Sequence, residues 1–334
     1  MRRVVIAGGT GFFGATIAAL LRADGVEPVI SGRASEPALD VEDPRSLRTV
    51  LRPGDVIVDA AGPFQSRSTT LVESAMALGV DVIDINESLG YARRIASLAE
   101  RAAASGIAVL SSCSAVSSVA AALVATSGIG VPVRVSALVA PASRETAHAA
   151  TLRALIFSVG TPIEVWRDGR LAPAGGWRES RRFALPPRTA YLVESALSLT
   201  LPSLWPSLRA VDCWADTSTL GANALLWGVA RWPTLRRLAV RAVPVGALLA
   251  RLAGARHGAF ALEVEGEDGA LARLALVAER GSYRIAAAPA ALAARALAAG
   301  RLRERGVVPP DRHVPADLLL AYLARLGMEL RRSS

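Results

Sequence analysis

The chain contains no lysine. All 38 of its basic residues are arginine. That excludes a Schiff-base lysine, a lysine general base, a phosphate-loop lysine and the tyrosine–lysine pair of short-chain dehydrogenases. Cysteine and histidine are scarce: Cys113 and Cys213, with His148, His257 and His313. None of them has metal-ligand spacing, so no zinc or other metal site is expected. Aromatic residues make up 5% of the chain. No basic, aromatic-interleaved motif for nucleic acid appears among them, so a nucleic-acid partner is not expected. No run of 18 purely apolar residues occurs, which excludes a simple membrane span. The first apolar run carries glycines and reads as a strand and turn, not as a leader peptide, so a cytoplasmic location is the expectation.

What is present is 334 residues, 52% of them hydrophobic. That suffices for two domains of ordinary size. The net charge of +9 is uneven. Residues 142–256 hold 15 arginines against 7 acids, and the remainder holds 23 against 22. A basic middle region therefore stands between two nearly neutral ends. Such a face attracts anionic partners, including an acidic membrane surface.

Strand-type and helix-type runs alternate from the N-terminus to about residue 128. "VVIAG" reads as a strand and "GATIAALLRADG" as the helix behind it. "PVISG" is a second strand, and a short third one ends at Asp40-Val41. "DPRSLRTVLRPG" is a helix with Asp43 as N-cap and Pro44 at its first position. "DVIVDAAG", "VDVIDIN" and "IAVLSS" are further strands with helices between them. This alternation predicts an α/β domain, a Rossmann-type doubly wound parallel sheet over residues 1–128. The pattern then changes. "VPVRVSALVA" alternates as an antiparallel strand does, "PIEVWRDGRLAP" reads as a hairpin about Asp168-Gly169, and "AFALEVEGEDGALARLALVAE" as another. Residues 129–288 are expected to form a second, α+β domain for substrate and dimer contacts. Residues 289–334 are expected to be C-terminal helices packing back on the first domain.

The run "VVIAGGTGFFGATIAALL" places Gly8, Gly9, Thr10, Gly11, Phe12, Phe13 and Gly14 between the first strand and first helix. Glycines there allow a tight turn and close backbone approach to a pyrophosphate, which the helix N-terminus then binds. A site that prefers NAD usually carries an acid at the end of the second strand, on the ribose 2′-hydroxyl. Here that position reads Ser31-Gly32-Arg33. An arginine there suits a 2′-phosphate, so NADP is expected, with NAD as the alternative. Asp40 and Val41 stand where a side chain reaches adenine. Ala61, Gly62, Pro63 and Phe64 follow the fourth predicted strand, as a stiff loop on the nicotinamide side.

Together these stretches resemble the saccharopine dehydrogenase-like family of oxidoreductases, the saccharopine reductase type with an NADP-binding domain. The resemblance rests on residues 8–14, Ser31-Gly32-Arg33, "VIVDAAGPFQ", "GVDVIDINE" and "IAVLSSCSAVSSVAAAL". Looser matches follow at "VWRDGRLAP", "RRFALP" and "ALEVEGEDG". It implies a nicotinamide-binding Rossmann domain, a second domain for dimer and substrate contacts, and C-terminal helices that return to the first. Two departures stand out. Val82 occupies the place of the family's tyrosine, and residues 112–118 lack the family's aspartate and proline. The absence of lysine also argues against amino-acid chemistry of the lysine pathway.

For proton transfer the candidates are Glu87, at a strand end, and His148, which opens a helix in the second domain. Cys113 reads as a buried packing residue. Residues 227–257 interleave apolar runs with Arg231, Arg236, Arg237, Arg241, Arg251 and Arg256. They fit a peripheral membrane contact, a cover over an apolar substrate, a helical pair packed in the core, or a dimer interface. The expectation is an NADPH-dependent reductase of a small or lipid-like metabolite, acting as a homodimer. The alternatives are a non-catalytic dinucleotide sensor and a membrane-surface protein.

Overall fold

A computed structural model describes residues 1–232 and 234–333 of the chain, with the side chains of 149, 150, 153 and 154 left outside the description. The chain divides into two units. The first comprises Met1–Val119 and Ala286–Leu319, the second Ala120–Ile285 and Leu320–Ser334.

The first unit is built on a six-stranded parallel sheet. Its strands are β1 (Val4–Ala7), β2 (Val29–Ser31), β3 (Val56–Asp59), β4 (Asp81–Asp84), β5 (Ala108–Leu110) and the two-residue strand Gly306–Val307. Across the sheet the order is Gly306–Val307, β5, β4, β3, β1, β2. β1, β3 and β4 are buried at every position. This is the continuous apolar strand type that helices on both faces of a parallel sheet require. The helices are α1 (Phe12–Ala23), α2 (Pro44–Val50), α3 (Thr70–Leu78), α4 (Leu89–Ala96) and α5 (Ala99–Ser105). Because β2 lies on one side of β1 and β3 on the other, the chain reverses its direction of travel at β1. The crevice between β1 and β3, at their carboxyl ends, is the topological switch point where such sheets bind ligands.

α2 starts as the sequence predicts. The Asp43 carboxylate accepts from the Arg45 N–H at 2.9 Å, with Pro44 in the first turn. Such a cap contributes about 1 kcal/mol. The expected third strand ending at Asp40-Val41 does not form. The Leu39 N–H bonds back to the Gly32 carbonyl and the Asp43 N–H to the Asp40 carbonyl. This tight path leads straight into α2 and leaves no extended segment free to join the sheet.

The helix Arg284–Ala298 supplies an alanine-lined face to the first unit, including Ala287, Ala288, Ala290 and Ala291, all buried. Its Ala298 carbonyl accepts from the Arg2 N–H, and Arg295 pairs with Asp24 at 2.8 Å.

The second unit is a mixed nine-stranded sheet with helices. It contains β6 (Pro132–Ala140), β7 (Pro162–Arg167), β8 (Arg170–Gly175), β9 (Ser180–Ala184), β10 (Pro187–Val193), β11 (Ala210–Ala215), β12 (Gly258–Gly266), β13 (Leu271–Ala278) and the final strand Glu329–Ser333. Both expected hairpins form. β7 and β8 turn at Asp168 (φ 51°) and Gly169 (φ 73°), and β12 pairs antiparallel with β13. β6 pairs antiparallel with β12, as its alternation suggests, but parallel with β11 on its other side. The helices are α6 (Ala120–Ala125), α7 (Ser143–Thr146), α8 (Ala149–Ser158), α9 (Leu197–Leu204), α10 (Ala222–Arg231), α11 (Thr234–Arg241) and α12 (Val243–Ala253).

Residues 289–334 do not all stay with the first domain, contrary to what their helical pattern suggests. In the structure Leu320–Ser334 clusters with the second unit, because Glu329–Ser333 pairs with β13 as an edge strand. A short, arginine-bearing edge strand carries no apolar period by which it could be read.

Candidate dinucleotide site

The glycine turn is shaped by contacts that no side chain could tolerate. Gly8 has φ 70°, and a Cβ there would lie 2.9 Å from the Ala60 carbonyl carbon. The exit of β1 is thus pressed against the exit of β3 at the switch point. A Cβ on Gly14 would lie 2.2 Å from the Gly8 carbonyl oxygen, so only glycine lets α1 sit down on the turn. The Gly9 N–H donates to the Ser31 carbonyl at 3.0 Å and ties the turn to the end of β2. Gly11 caps α1 without any side-chain hydrogen bond, and the first turn of the helix holds no acid. Thr10 and Gly11 are exposed and Phe12 and Phe13 are half-buried. The N-terminal end of α1, where the helix dipole is positive, is therefore free of a competing acid and faces an exposed turn. These features fit a dinucleotide pyrophosphate.

At the end of β2, Ser31 is fully buried, and its hydroxyl donates to the Pro37 carbonyl at 2.6 Å. Its proton holds the loop together and is not presented to a ligand. Gly32 anchors the same loop, its carbonyl accepting from Ser35 and Leu39. Arg33 is exposed, and among the described residues nothing pairs with its guanidinium. Asp40 is half-buried and caps the Glu42 N–H at 2.9 Å, while Val41 is a core residue.

The loop after β3 is held by a group that sequence reading missed. Asp59 is fully buried at the end of β3, and Arg67 pairs with it at 2.9 Å. Asp59 accepts from the Ala61 N–H, and Arg67 donates to the Ala61 carbonyl. Arg67 also pairs with Glu42, which in turn accepts from Ser68. One buried ion pair thus clamps Ala61 from both sides and links it to the segment after Asp40-Val41. Burial pushes the Asp59 carboxyl above its ordinary range, and the adjacent guanidinium opposes the rise. Gly62 and Pro63 are exposed on the loop, whereas Phe64 is buried and packs on the Tyr91 ring at 5.2 Å. The only signal in the sequence was an acid inside an apolar strand run, which demands a buried partner.

Next along the sheet edge, Asp84 ends β4, fully buried. One carboxylate oxygen accepts from the Asn86 and Ser112 N–H groups at 3.0 and 2.8 Å, and its other oxygen has no hydrogen-bond partner among the described residues. Burial raises this carboxyl to about 6. Asn86 is spent on structure, bonding Ser88 through both ends of its amide and the Ser112 hydroxyl as well. Glu87 is different. It is an exposed residue, and no described residue pairs with it. The surrounding protein still strips enough hydration to push its carboxyl up to about 7. It precedes Ser88, the N-cap of α4, so it lies outside the helix and gains little from the dipole.

His148 lies in the second unit. It is the N-cap residue of α8, and its Nδ1 is 3.0 Å from an Arg251 nitrogen. Partial burial and then the Arg251 charge hold its pKa below the usual value, so at neutral pH it is an uncharged acceptor. Cys113 is fully buried, and burial raises its thiol far out of the reactive range. His313 is also fully buried, between the Ser118 hydroxyl and the Val308 carbonyl, at 2.9 Å from each. Among the described residues no cluster of histidine, cysteine and acids could hold a metal. No helix among them is long and apolar enough to cross a membrane.

Residues 4–110 match the family model described as the saccharopine dehydrogenase NADP binding domain. Those residues, and not the chain as a whole, carry that family's domain. It is a nicotinamide-dinucleotide domain of the oxidoreductase kind. No curated protein matches the chain. Among solved structures, the chain is similar to apo saccharopine dehydrogenase (L-Glu forming) from Saccharomyces cerevisiae. That match has 13% identity and a TM-score of 0.62, and it covers 100% of this chain and 99% of that one. A dehydrogenase from Chromobacterium violaceum has 11% identity over 97% of this chain and 94% of that one, with a TM-score of 0.45. The WlbA (WbpB) dehydrogenase from Thermus thermophilus, solved with NAD and UDP-GlcNAcA, has 14% identity over 97% and 94%, with a TM-score of 0.42. At these identities the first likeness is one of fold. The saccharopine dehydrogenase-type domain accounts for the glycine turn, the switch-point crevice and the loop after β3.

Proposed function

We propose that this protein is an NADPH-dependent reductase of a polarised C=N, C=O or C=C bond in a small or lipid-like metabolite. The observation that carries the reading is the end of β2. No acid stands there to hold a ribose 2′-hydroxyl, and Arg33 stands exposed and, among the described residues, unpaired. A planar guanidinium matches a 2′-phosphate in shape and charge. The glycine turn and the α1 N-terminus hold the pyrophosphate. The Asp59–Arg67 clamp fixes the loop that borders the nicotinamide side.

When bound, the dinucleotide supplies the hydride. The chain must then supply a proton. Glu87, unpaired and raised to about 7, is part protonated at neutral pH and suits a general acid. Turnover of NADPH against a panel of imines, ketones and enoyl compounds tests the reading. NADPH consumption that falls sharply in Glu87→Gln while NADPH binding persists supports it. Equal rates with NADH, or full activity in Glu87→Gln, would contradict it.

A further inference from the structure

The second unit displays its leucines outward. On α12 the buried positions are Val243, Ala247 and Ala250, while Val245, Leu248 and Leu252 are exposed, Leu252 at 65%. The small side chains face the protein and the large ones face away, the reverse of an ordinary surface helix. α11 buries no residue at all and exposes Leu238, and Trp232, between α10 and α11, is 59% exposed. An apolar display of this extent on a chain otherwise well packed marks an interaction surface.

The charge around it points to the occupant. Between Asp216 and Glu263 there is no acid, and six arginines fall in that span. Arg231, Arg237, Arg241 and Arg256 are exposed, and the Arg231 guanidinium lies 4.3 Å from the Trp227 ring centroid. Arg236 and Arg251 instead anchor the helices, donating to the carbonyls of Phe157 and Ala147. A second copy of the chain meets this face poorly. A two-fold interface sets a patch against itself, and these arginines would oppose one another with no acid in the span to pair with. Arginine stems that lie along apolar surface, interfacial tryptophans and an outward leucine stripe fit a lipid–water boundary instead.

We propose that α10–α12 form a docking face for the surface of an anionic lipid bilayer. The apolar stripe enters the headgroup region and the arginines bind the lipid phosphates. The proposal is independent of the NADPH reading, since it uses no residue of the dinucleotide site.

The test is flotation of the full-length protein with phosphatidylcholine vesicles and with vesicles that also contain phosphatidylglycerol. Three proteins are compared: wild type, Arg237→Gln/Arg241→Gln and Leu248→Ser/Leu252→Ser. All four positions are exposed, and retained NADPH binding or an unchanged circular dichroism spectrum reports folding. Wild type should bind only the anionic vesicles, and less as salt is raised. Loss of two arginine charges should weaken partition on the order of 30-fold, at about one kcal/mol for each basic residue near such a surface. The leucine variant should also bind more weakly, at unchanged charge. Absence of binding to anionic vesicles overturns the proposal, and so does binding that neither variant alters. A dimer in solution that the leucine variant dissociates, without vesicle binding by wild type, assigns the face to self-association and likewise overturns it.

Discussion

Replacing Arg67 by methionine removes the cation that makes the buried Asp59 tolerable. The Asp59 side chain has no solvent exposure and that of Arg67 has 6%. Methionine fills much of the same volume but leaves Asp59 with a single hydrogen bond, from the Ala61 N–H. Breaking a buried pair from one side costs about 3–5 kcal/mol, a large fraction of a typical domain's stability of about 5–15 kcal/mol. The loss should depend on pH. An unpaired buried carboxyl has a folded-state pKa above its unfolded value, so the folded variant favours the protonated form. The deficit is therefore largest above that folded pKa, and it shrinks as pH falls toward the unfolded value of about 3.9. Urea unfolding of wild type and Arg67→Met at about pH 7 and about pH 5 measures both effects. The double variant Asp59→Asn/Arg67→Met, which removes the charge as well, should recover part of the loss. A deficit under about 1 kcal/mol, or one independent of pH, would refute the role given to this pair.

His313 makes a second pH-dependent contribution. Its pKa is held at about 4, so stability that is fully present above the unfolded value of about 6.5 is lost as pH falls toward 4. The loss is roughly 3 kcal/mol, and it should be absent from the stability profile of His313→Gln. Gly14→Ala forces a methyl group to 2.2 Å from the Gly8 carbonyl unless α1 shifts. NADPH affinity, read by fluorescence titration, should fall at least about tenfold while the second unit stays folded. If Glu87 is the proton donor, kcat should decline as pH rises through about 7. The Glu87→Gln variant should lose that limb together with about 100-fold or more of the rate.

Much of the dinucleotide site was legible because glycine and proline act locally. Gly14 is demanded by the backbone of Gly8 a few residues away, and Asp43-Pro44 announces a helix start by chemistry within one turn, although Gly8 itself answers to the distant Ala60 backbone. The Asp168-Gly169 and 266–269 turns are of the same kind. What could not be read depends on partners distant in sequence. The parallel pairing of β6 with β11 joins residues some 75 positions apart, as in Val135 with Val211. The final strand is visible only against β13. Arg67 is one of 38 arginines, and only the fold shows that it, and not Arg33, closes on a buried acid. In the sequence α12 shows only as apolar runs interleaved with arginines. Such a pattern does not say which side faces the protein, and here alanine faces in and leucine out.

On the proposed function, Arg33 makes this saccharopine dehydrogenase-type domain a site for the 2′-phosphate of NADPH. Parallel titrations of wild type and Arg33→Asp with NADPH and NADH, followed by fluorescence and melting temperature, test it most directly. Because Arg33 is exposed, the variant should fold as wild type does. A charge-assisted contact of this kind predicts wild-type preference for NADPH of roughly tenfold or more, abolished or inverted in the variant. Equal affinity of wild type for the two cofactors, or a preference for NADPH that survives in Arg33→Asp, would contradict it.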